Sequence, residues 1–562
     1  MPELLTPTRE SPQAPVDRFA AKLAWLVLLI AVAFGLVWRV RQYGAQFSFS
    51  VDELAIARNI TDRSVGGLFQ RLEFGQIAPI GFLLGLKTSA SLFGTSEWSL
   101  RLLPFVSGLV TIPLFWLVAR RALPDPGAAA AATALVALAT PLALWSAALK
   151  QYSIDVVAVL AVIATSQWLL GRDLRRGDIL RAVSVGGAAA LFSQAAVFAI
   201  AASAVVLLTD AFDRRRRTEF ASRAIVIAVW ASVSASTLLW SYALALPADR
   251  LYMRKFWNPQ FMPWQVTAAP QWLWDRIVSM FSGGPWPNGE LQYARPKVWM
   301  LLLAIGALVL LIRRPRHALL IVLPVLFTLG ASAIRQYPFG GRPSLFLVPL
   351  GLLLIVAGAH AIGSMASRSA GTLAALILVP FAAVPMLQLP PSYQPEHLRP
   401  GLQYLSARLQ PGDTVWVYYG AAQAFAYYSR RFPMRAEVMF STCDRTDPRA
   451  TLRQADAARG RERVWIVLTH IDAAERRGLL GYLDTIGTRL DTFSLDTRKE
   501  AMTASSIFLY RLDDPERLQR ASAEDVSVSP IDEPSPWSCY GPMSAQPGSE
   551  RAAAVALARE AN

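Results

Sequence analysis

Two adjacent carboxylates follow the first apolar segment of the chain. Asp52 and Glu53 stand in the sequence SFSVDELAIARNI, residues 48–60, and Arg58 follows them. A carboxylate beside an apolar boundary is partly desolvated, which keeps its pKa suited to removing a proton from a substrate. The residues therefore predict a general base near a membrane interface. A solvated acidic pair on a loop helix is the structural alternative.

A second cluster, LKQYSID, occupies residues 149–155. On a helix, Gln151, Tyr152 and Asp155 share one face because residues three and four apart are neighbours. An acid at the apolar end of a membrane segment is costly to bury and indicates a function. The adjacent Lys150 is either its neutralising partner or a phosphate ligand. The structural alternative is an ion pair.

A third cluster, RQYPFGGRPSLF, occupies residues 335–346. Its prolines and glycines predict a tight turn. Arg342 starts the next apolar segment, where its guanidinium is suited to binding a phosphate bidentately. An interfacial arginine whose charge reaches up to water is the alternative.

The loop between residues 246 and 297 is rich in tryptophan and also holds Arg254 and Lys255. Aromatic residues at a membrane interface are its ordinary interpretation, and stacking on a sugar or a lipid headgroup is the functional one. The tryptophans are Trp257, Trp264, Trp272, Trp274 and Trp286.

Long apolar segments must position these clusters. Hydrophobic residues make up 54% of the 562 residues and charged ones only 17%, well below the usual quarter of a soluble protein. About eleven segments are long and apolar enough to predict membrane spans. They are Leu23–Val40, Leu100–Val118, Ala128–Trp145, Tyr152–Leu170, Val183–Phe192, Ala195–Leu208, Ala224–Leu246, Val298–Ile312, Ala318–Ala333, Ser344–Ile362 and Thr372–Leu387.

The net charge of +15 comes from arginines clustered between these spans. With the N-terminal tail, residues 1–21, in the cytoplasm, every dense arginine cluster falls on the inner side, as the positive-inside rule requires. This pattern argues against nucleic-acid binding, and it places all the clusters above on the outer side. The segment Ile77–Phe93 carries Lys87 and is predicted to lie in the outer interface, with an ordinary span as the alternative.

Several of these motifs resemble those of a known family. The Asp52-Glu53 pair, GTSEWSLRLLP at 94–104, KQYSID at 150–155 and YPFGGRPSLFLVP at 337–349 resemble motifs of the polyprenyl-phosphate-dependent glycosyltransferases of the GT-C superfamily. That group, related to glycosyltransferase family 39, contains protein O-mannosyltransferases and the aminoarabinose transferase of lipid A. The resemblance covers roughly residues 22–390.

The resemblance implies roles for particular residues. Asp52 is expected to be the catalytic base, with Glu53 and Asp155 in the same catalytic set. The expected substrate-binding residues are Arg58, Lys150, Tyr152, Tyr337 and Arg342, with Lys150 and Arg342 as ligands of the lipid phosphate. The expected partners are a polyprenyl-phosphate-linked sugar, a glycan, lipid or protein acceptor, and membrane lipids; no cofactor, metal or nucleic acid is expected.

Two departures from the family pattern bear on the acceptor. Many relatives have a histidine before the proline where this chain has Gln76-Ile77-Ala78-Pro79. Some have a histidine in the turn that is Phe192-Ser193-Gln194 here. The resemblance therefore implies the type of donor but identifies neither the sugar nor the acceptor.

Beyond a proline-rich linker, residues 391–512 have the composition of a soluble domain. Four β-branched and aromatic runs, at 414–420, 463–470, 489–495 and 505–512, alternate with helical patterns near 401–409, 421–431 and 472–487. This alternation predicts a small α/β domain. The tail, residues 513–562, is predicted to be mostly extended. The only two cysteines, Cys443 and Cys539, lie beyond the last span, and a disulfide between them is predicted.

The sequence thus predicts a polytopic α-helical membrane protein, with residues 22–390 as a GT-C-like catalytic domain and a small C-terminal α/β domain in the periplasm of a bacterial inner membrane. The predicted activity is transfer of a sugar from a polyprenyl-phosphate donor at the outer face. A lipid or sugar transporter without transferase chemistry is the alternative, since transporters also place acids along a substrate path. A scaffold whose outer domain binds a partner is a third hypothesis.

Overall fold

The computed structural model describes residues 14–213, 217–281, 296–388, 396–445, 447–495, 505–526 and 539. Its membrane domain contains α1 (Ala14–Gly44), α2 (Val51–Asp62), α3 (Ile80–Phe93), α4 (Glu97–Ala122), α5 (Pro126–Leu138), α6 (Thr140–Trp145), α7 (Tyr152–Leu169), α8 (Arg176–Phe192), α9 (Ala196–Asp213), α10 (Arg217–Leu244), α11 (Pro247–Phe256), α12 (Ala269–Phe281), α13 (Pro296–Arg313), α14 (Pro315–Ala333), α15 (Val348–Gly363), α16 (Arg368–Leu376) and α17 (Val379–Gln388). The outer domain contains α18 (Arg399–Ser406), β1 (Thr414–Val417), α19 (Tyr419–Tyr428), β2 (Glu437–Phe440), α20 (Ala450–Ala455), β3 (Val464–Leu468), α21 (Ala473–Ile486), β4 (Thr488–Ser494), β5 (Ser506–Arg511) and α22 (Pro515–Leu518).

In the part of the chain that the structure describes, eight helices are long and apolar enough to cross a membrane. The prediction of a polytopic α-helical membrane protein is therefore confirmed, but the count of eleven is not. The predicted span Ala128–Trp145 is divided into α5 and α6 at Ala139, because Pro141 has no N–H to continue the helical hydrogen bonds and its ring would clash with the carbonyl of Ala137. The predicted span Thr372–Leu387 is divided between α16 and α17.

One end of the helix bundle collects the basic residues that the sequence assigns to the inner side. Arg121 donates to the carbonyl of Ala164 and Arg314 donates to the carbonyl of Arg121, each at 2.8 Å. Fully buried Arg223 lies 3.3 Å from Asp210 at the same end. The bond from Arg314 satisfies one of the last carbonyls of α4. The three clusters of candidate chemistry lie together at the opposite end.

The segment predicted to lie in the interface forms α3, which is 14 residues long. At 1.5 Å per residue it measures about 21 Å, short of the ~30 Å hydrocarbon core. Lys87 donates from Nζ to the carbonyls of Ile60, at 2.7 Å, and Arg63, at the end of α2. Its charge is thus used to cap a neighbouring helix, and the interfacial placement of α3 stays a prediction.

The outer domain is built on one five-stranded mixed sheet with the order β2-β1-β3-β5-β4. Strands β2, β1 and β3 are parallel, while β5 is antiparallel to β3 and β4. The predicted α/β domain is confirmed. The sequence analysis missed β2, whose four residues form an edge strand with no fully buried side chain, so its hydrophobic pattern is weak.

This domain shares a hydrophobic core with the first outer loop. Phe49, Leu54 and Phe82 from the membrane domain pack in one buried cluster with Val417 and Phe425 from the outer domain. Fully buried aromatic and aliphatic side chains contribute the most to such an interface. The outer domain therefore packs over the region that contains Asp52.

The predicted disulfide between Cys443 and Cys539 is present, with a Cα–Cα distance of 5.7 Å. It anchors buried Cys539 near the end of β2. Most of the predicted extended tail lies outside the described residues.

Replacing both cysteines with serine is expected to destabilise the outer domain by about 4 kcal/mol, since the bridge closes a loop of nearly a hundred residues. Thermal unfolding of the oxidised protein in detergent, compared with the double variant, measures the loss. Reductant should lower the unfolding temperature of the wild type but not that of the serine variant. Equal unfolding temperatures would contradict the prediction.

Candidate active site

The acidic pair begins helix α2, and its two carboxylates have different surroundings. Glu53 occupies the third position after the N-cap Ser50 and accepts from the backbone N–H of Ser50 at 3.0 Å, as in a capping box. It also accepts two bonds from Arg101, at 2.7 and 2.9 Å, and one from the N–H of Leu149 at 2.7 Å. Burial alone would raise the pKa of Glu53, but Arg101 outweighs it and lowers the pKa. Glu53 is therefore enclosed and its lone pairs are occupied.

Asp52, the neighbouring residue, faces a cavity. Its Oδ2 lies 2.7 Å from Nη1 of Arg342, and about a quarter of its side chain is exposed. Burial alone would raise the pKa of Asp52, but the charges of Arg342 and Lys150 outweigh it and hold the pKa at about 2. The carboxylate is thus ionised at neutral pH and accessible from the cavity.

A turn built on two glycines brings Arg342 to this place. Gly340 and Gly341 both have positive φ, at +112° and +60°, a conformation that other residues rarely adopt. The turn leads directly into the 3₁₀ helix that starts at Arg342. The guanidinium lies over the rings of Trp257, Phe256 and Trp145, at 5.3, 5.8 and 5.9 Å from their centroids. Aromatic faces stabilise a partly desolvated cation, so the charge is held at the cavity wall.

Lys150 lies in the short turn between α6 and α7. Its Nζ donates to Oε1 of Gln76 at 3.1 Å, and it shares the cavity with Asp52. Burial lowers the pKa of Lys150, and Asp52 opposes that shift. Gln76 belongs to the segment Gln76-Ile77-Ala78-Pro79, where many relatives have a histidine before the proline. This segment therefore contacts Lys150, the predicted ligand of the phosphate.

Asp155 lies one turn inside α7 and is buried. Oγ of Ser193 donates to it at 2.6 Å. Tyr152, which begins α7, and Tyr337, whose hydroxyl donates to the carbonyl of Pro343 at 2.8 Å, line the same cavity. Ser193 belongs to the turn Phe192-Ser193-Gln194, in which some relatives have a histidine. In this protein the Ser193 hydroxyl binds Asp155.

The cavity has a volume of about 290 Å³. Seven charged side chains line it, five of them basic and two acidic. They are Lys150, Arg250, Arg254, Arg335, Arg342, Asp52 and Asp155. The excess of positive charge suits an anionic ligand, and the aromatic residues of its wall suit a sugar or a lipid headgroup.

Six of the eight predicted site residues line this cavity, and Glu53 and Arg58 do not. Arg58 pairs with Asp62 at 3.4 Å and lies over the ring of Phe74, 4.8 Å from its centroid. It occupies a different face of α2, because six positions along a helix are not a whole number of turns.

Arg250, Tyr252 and Arg335 also line the cavity, although no role was predicted for them; Arg335 is the first residue of the third cluster, 335–346. The first two lie on α11, an amphipathic helix between long apolar spans, and that pattern was the available signal. Trp257 was noted only as one of the aromatic residues of the loop; it stacks on Arg342. Trp286 lies outside the described residues. Among the described residues, no three His, Cys, Asp or Glu side chains are grouped to hold a metal ion.

The fold and the cavity together define a multi-pass membrane protein with a positively charged pocket at one end of its helix bundle. Residues 78–240 match the family described as dolichyl-phosphate-mannose-protein mannosyltransferase. The match covers less than a third of the chain. It confirms the resemblance to glycosyltransferases that use polyprenyl-phosphate sugars. No curated protein sequence matches the chain.

Solved structures give long but distant alignments. ArnT from Cupriavidus metallidurans bound to undecaprenyl phosphate is 14% identical, with a TM-score of 0.45, over 88% of this chain and 98% of ArnT. The oligosaccharyltransferase of Archaeoglobus fulgidus in complex with zinc and sulfate is 12% identical, with a TM-score of 0.49, over 92% of this chain and 76% of that enzyme.

Proposed function

We propose that this protein transfers a sugar from a polyprenyl-phosphate donor to an acceptor at the outer face of the inner membrane, with Asp52 as the general base. The observation that carries the proposal is the Asp52–Arg342 pair in a cavity that also holds Lys150. One carboxylate and two cations at one site match the two requirements of the reaction, proton removal and phosphate binding. The family match of residues 78–240 supports the same class of donor.

A second cavity offers room for an apolar chain. It has a volume of about 320 Å³, lies between α3 and α10, and shares Gln76 and Ile77 with the charged cavity. Leu83, Trp240 and Leu244 line it. A ligand with an anionic head and an apolar tail would fill both cavities at once, which favours a lipid phosphate over a soluble sugar phosphate.

Donor binding would also activate the base. While Asp52 pairs with Arg342, the charges of Arg342 and Lys150 outweigh burial and hold the pKa of Asp52 at about 2, so the carboxylate is a weak base. A donor phosphate competes with Asp52 for the guanidinium, and loss of that neighbouring charge raises the basicity of the carboxylate. The enzyme is therefore expected to acquire its base only when the donor is present.

The chemistry then follows from the placement of charges. The acceptor oxygen attacks the anomeric carbon while the bond from that carbon to the phosphate oxygen breaks. The acceptor proton passes to Asp52, and the bonding electron pair leaves with the phosphate, whose charge Arg342 and Lys150 stabilise. A β-linked donor sugar gives an α-linked product. Asp155 lines the cavity beside Tyr152 as the assisting acid, and Glu53 positions α2.

The purified protein should release polyprenyl phosphate from a labelled polyprenyl-phosphate sugar only when an acceptor is present. A set of donor sugars and of glycan, lipid and protein acceptors tests this directly by extraction of the lipid phosphate. Binding and transmembrane movement of the donor without cleavage would support the transporter and overturn the proposal.

Arg342→Ala is expected to weaken the binding of polyprenyl phosphate by about 10- to 100-fold, the value of a charge-assisted hydrogen bond. Arg430→Ala, which removes an exposed arginine paired with Asp62, is the control and should bind as the wild type does. Equilibrium binding of labelled polyprenyl phosphate in detergent gives both constants. Equal affinity of the Arg342 variant and the wild type would contradict a phosphate-binding role.

Sidedness can be tested with single cysteines, because the two native ones are bonded to each other. Val266, 84% exposed near the cavity end, and Met365, 87% exposed at the other end, are suitable positions. We expect an impermeant maleimide to label Val266→Cys in intact spheroplasts and Met365→Cys only after lysis. Labelling of both from one side would refute the predicted orientation.

A further inference from the structure

The parallel part of the outer sheet directs its carboxyl edge toward the helix that bears Asp52. Strands β1 and β3 are adjacent and parallel, so Tyr418 and His470, just beyond their ends, lie at one edge. Strand β2 lies on one side of β1 and β3 lies on the other, so the order of the strands reverses between β1 and β3. In open α/β sheets, functional groups collect at the carboxyl edge beside such a reversal.

His470 is tied to α2 through a single carboxylate. Its Nδ1 lies 2.6 Å from Oε1 of Glu396, and the other oxygen of Glu396 accepts the backbone N–H of Val51, the first residue of α2. Glu396 and Val51 are 345 residues apart in sequence. A carboxylate at a helix N-terminus also interacts favourably with the helix dipole. One side chain thus joins the outer domain to the residue that precedes Asp52.

Both members of this pair have a strained backbone. The φ angle is +61° at Glu396 and +51° at His470, a left-handed conformation that residues with a side chain rarely adopt. Two residues that are bonded to each other share this strain, which the surrounding structure must hold in place. Such strain is typical of residues whose exact position matters to a site.

The charges around His470 also favour a role beside Asp52. Burial alone would lower the pKa of His470, but Glu396 and Asp52 outweigh it and raise the pKa, against the opposing charge of Arg445. The same electrostatic contact helps to lower the pKa of Asp52. Because Glu396 accepts the Nδ1 proton, Nε2 is the nitrogen that gains or loses the second proton.

We propose that Glu396 and His470 of the outer domain are positioning residues of the active site, which hold the N-terminus of α2 and so aim the Asp52 carboxylate at the acceptor. This inference rests on the proposed function. It makes the outer domain a part of the catalytic unit and accounts for its docking on the first outer loop.

The test uses the full-length protein and two variants of one residue. His470→Ala removes the bond to Glu396, whereas His470→Asn keeps an N–H near the place of Nδ1. We expect His470→Ala to lower kcat by about tenfold to a hundredfold, because small misplacement of a catalytic group has effects of this size. KM for the donor should stay within about twofold, and His470→Asn should restore most of kcat at neutral pH.

A matched control separates this role from general docking. Tyr427→Phe keeps the ring, which contacts Phe49 edge to face, and removes only another bond between the domains, from the Tyr427 hydroxyl to the carbonyl of Thr95 at 2.7 Å, which does not involve α2. It should leave kcat near the wild-type value. A loss of kcat equal to that of His470→Ala, or failure of His470→Asn to restore activity, would overturn the positioning role.

A second measurement does not depend on the transferase reaction. Amide hydrogen exchange at residues 51–54 should accelerate in His470→Ala and in Glu396→Gln, with little change in Tyr427→Phe, since only the first two loosen the start of α2. Unchanged exchange would refute the inference even if the enzyme is active. Faster exchange in a protein that cleaves no donor would instead refute the proposed function.

Discussion

Asp52→Asn is expected to lower the rate of sugar transfer by about 10²- to 10⁴-fold, the contribution of a general base. The amide cannot accept the acceptor proton, yet it occupies nearly the same volume. Binding of polyprenyl phosphate should be retained or become tighter, because Arg342 no longer has a carboxylate at 2.7 Å to compete with the phosphate. Single-turnover transfer and equilibrium binding of the lipid phosphate measure the two effects separately.

Asp62→Asn is the control for this variant. Asp62 lies on the same helix and pairs at the surface with Arg58 and Arg430, at 3.4 and 3.2 Å. Exposed ion pairs contribute ~0–1 kcal/mol, so this variant should transfer sugar at close to the wild-type rate. If Asp52→Asn kept half of the wild-type rate, another residue would have to be the base.

The second large effect is expected at the neighbouring carboxylate. Glu53→Gln should destabilise the protein by about 3–5 kcal/mol, because it leaves the buried guanidinium of Arg101 without its countercharge. The Arg101 and Glu53 side chains are only 7% and 8% exposed, so water cannot compensate. Thermal unfolding in detergent measures the loss, and transfer should decline along with folded protein.

Glu73→Gln is the matched control, since Glu73 pairs with Arg63 at 3.1 Å but is 58% exposed. Its unfolding temperature should differ little from that of the wild type. The pH dependence gives a further check. The folded-state pKa of Glu53 is below the ordinary value of 4.5, so its stabilisation is present above that pH and is lost as the pH falls through the lower value. The Glu53→Gln variant should not show this loss of stability at low pH. If the variant unfolded at the same temperature as the wild type, the prediction would be contradicted.

The two adjacent acids are therefore expected to have different roles, one in the reaction and one in holding the site together. Asp52 faces the cavity and is proposed to act on the acceptor, while Glu53 binds α2 to α4 and to the turn before α7. The sequence analysis placed both in the catalytic set. Adjacent positions on a helix point in different directions, about 100° apart, and only packing against Arg101 and Leu149 determines which one is enclosed.

Local sequence was enough to predict the membrane helices and the small α/β domain. Hydropathy and the placement of arginines are properties of each segment by itself, so they predict membrane helices without knowledge of which helices contact each other. The count of spans was less secure, because Pro141 divides one apolar run into α5 and α6. The disulfide was predictable because the chain has only two cysteines, both beyond the last span.

Only the tertiary structure decided which charges meet. Asp52 pairs with Arg342, Glu53 with Arg101, and Arg58 turns away toward Asp62. It also brought Glu396 and His470 to the start of α2, although nothing in the local pattern of either residue indicates a site. Apart from the pair of Arg58 and Asp62 on α2, these pairings join segments far apart in sequence. Their energies depend on burial and distance, which arise only when the helices and the outer sheet have packed together.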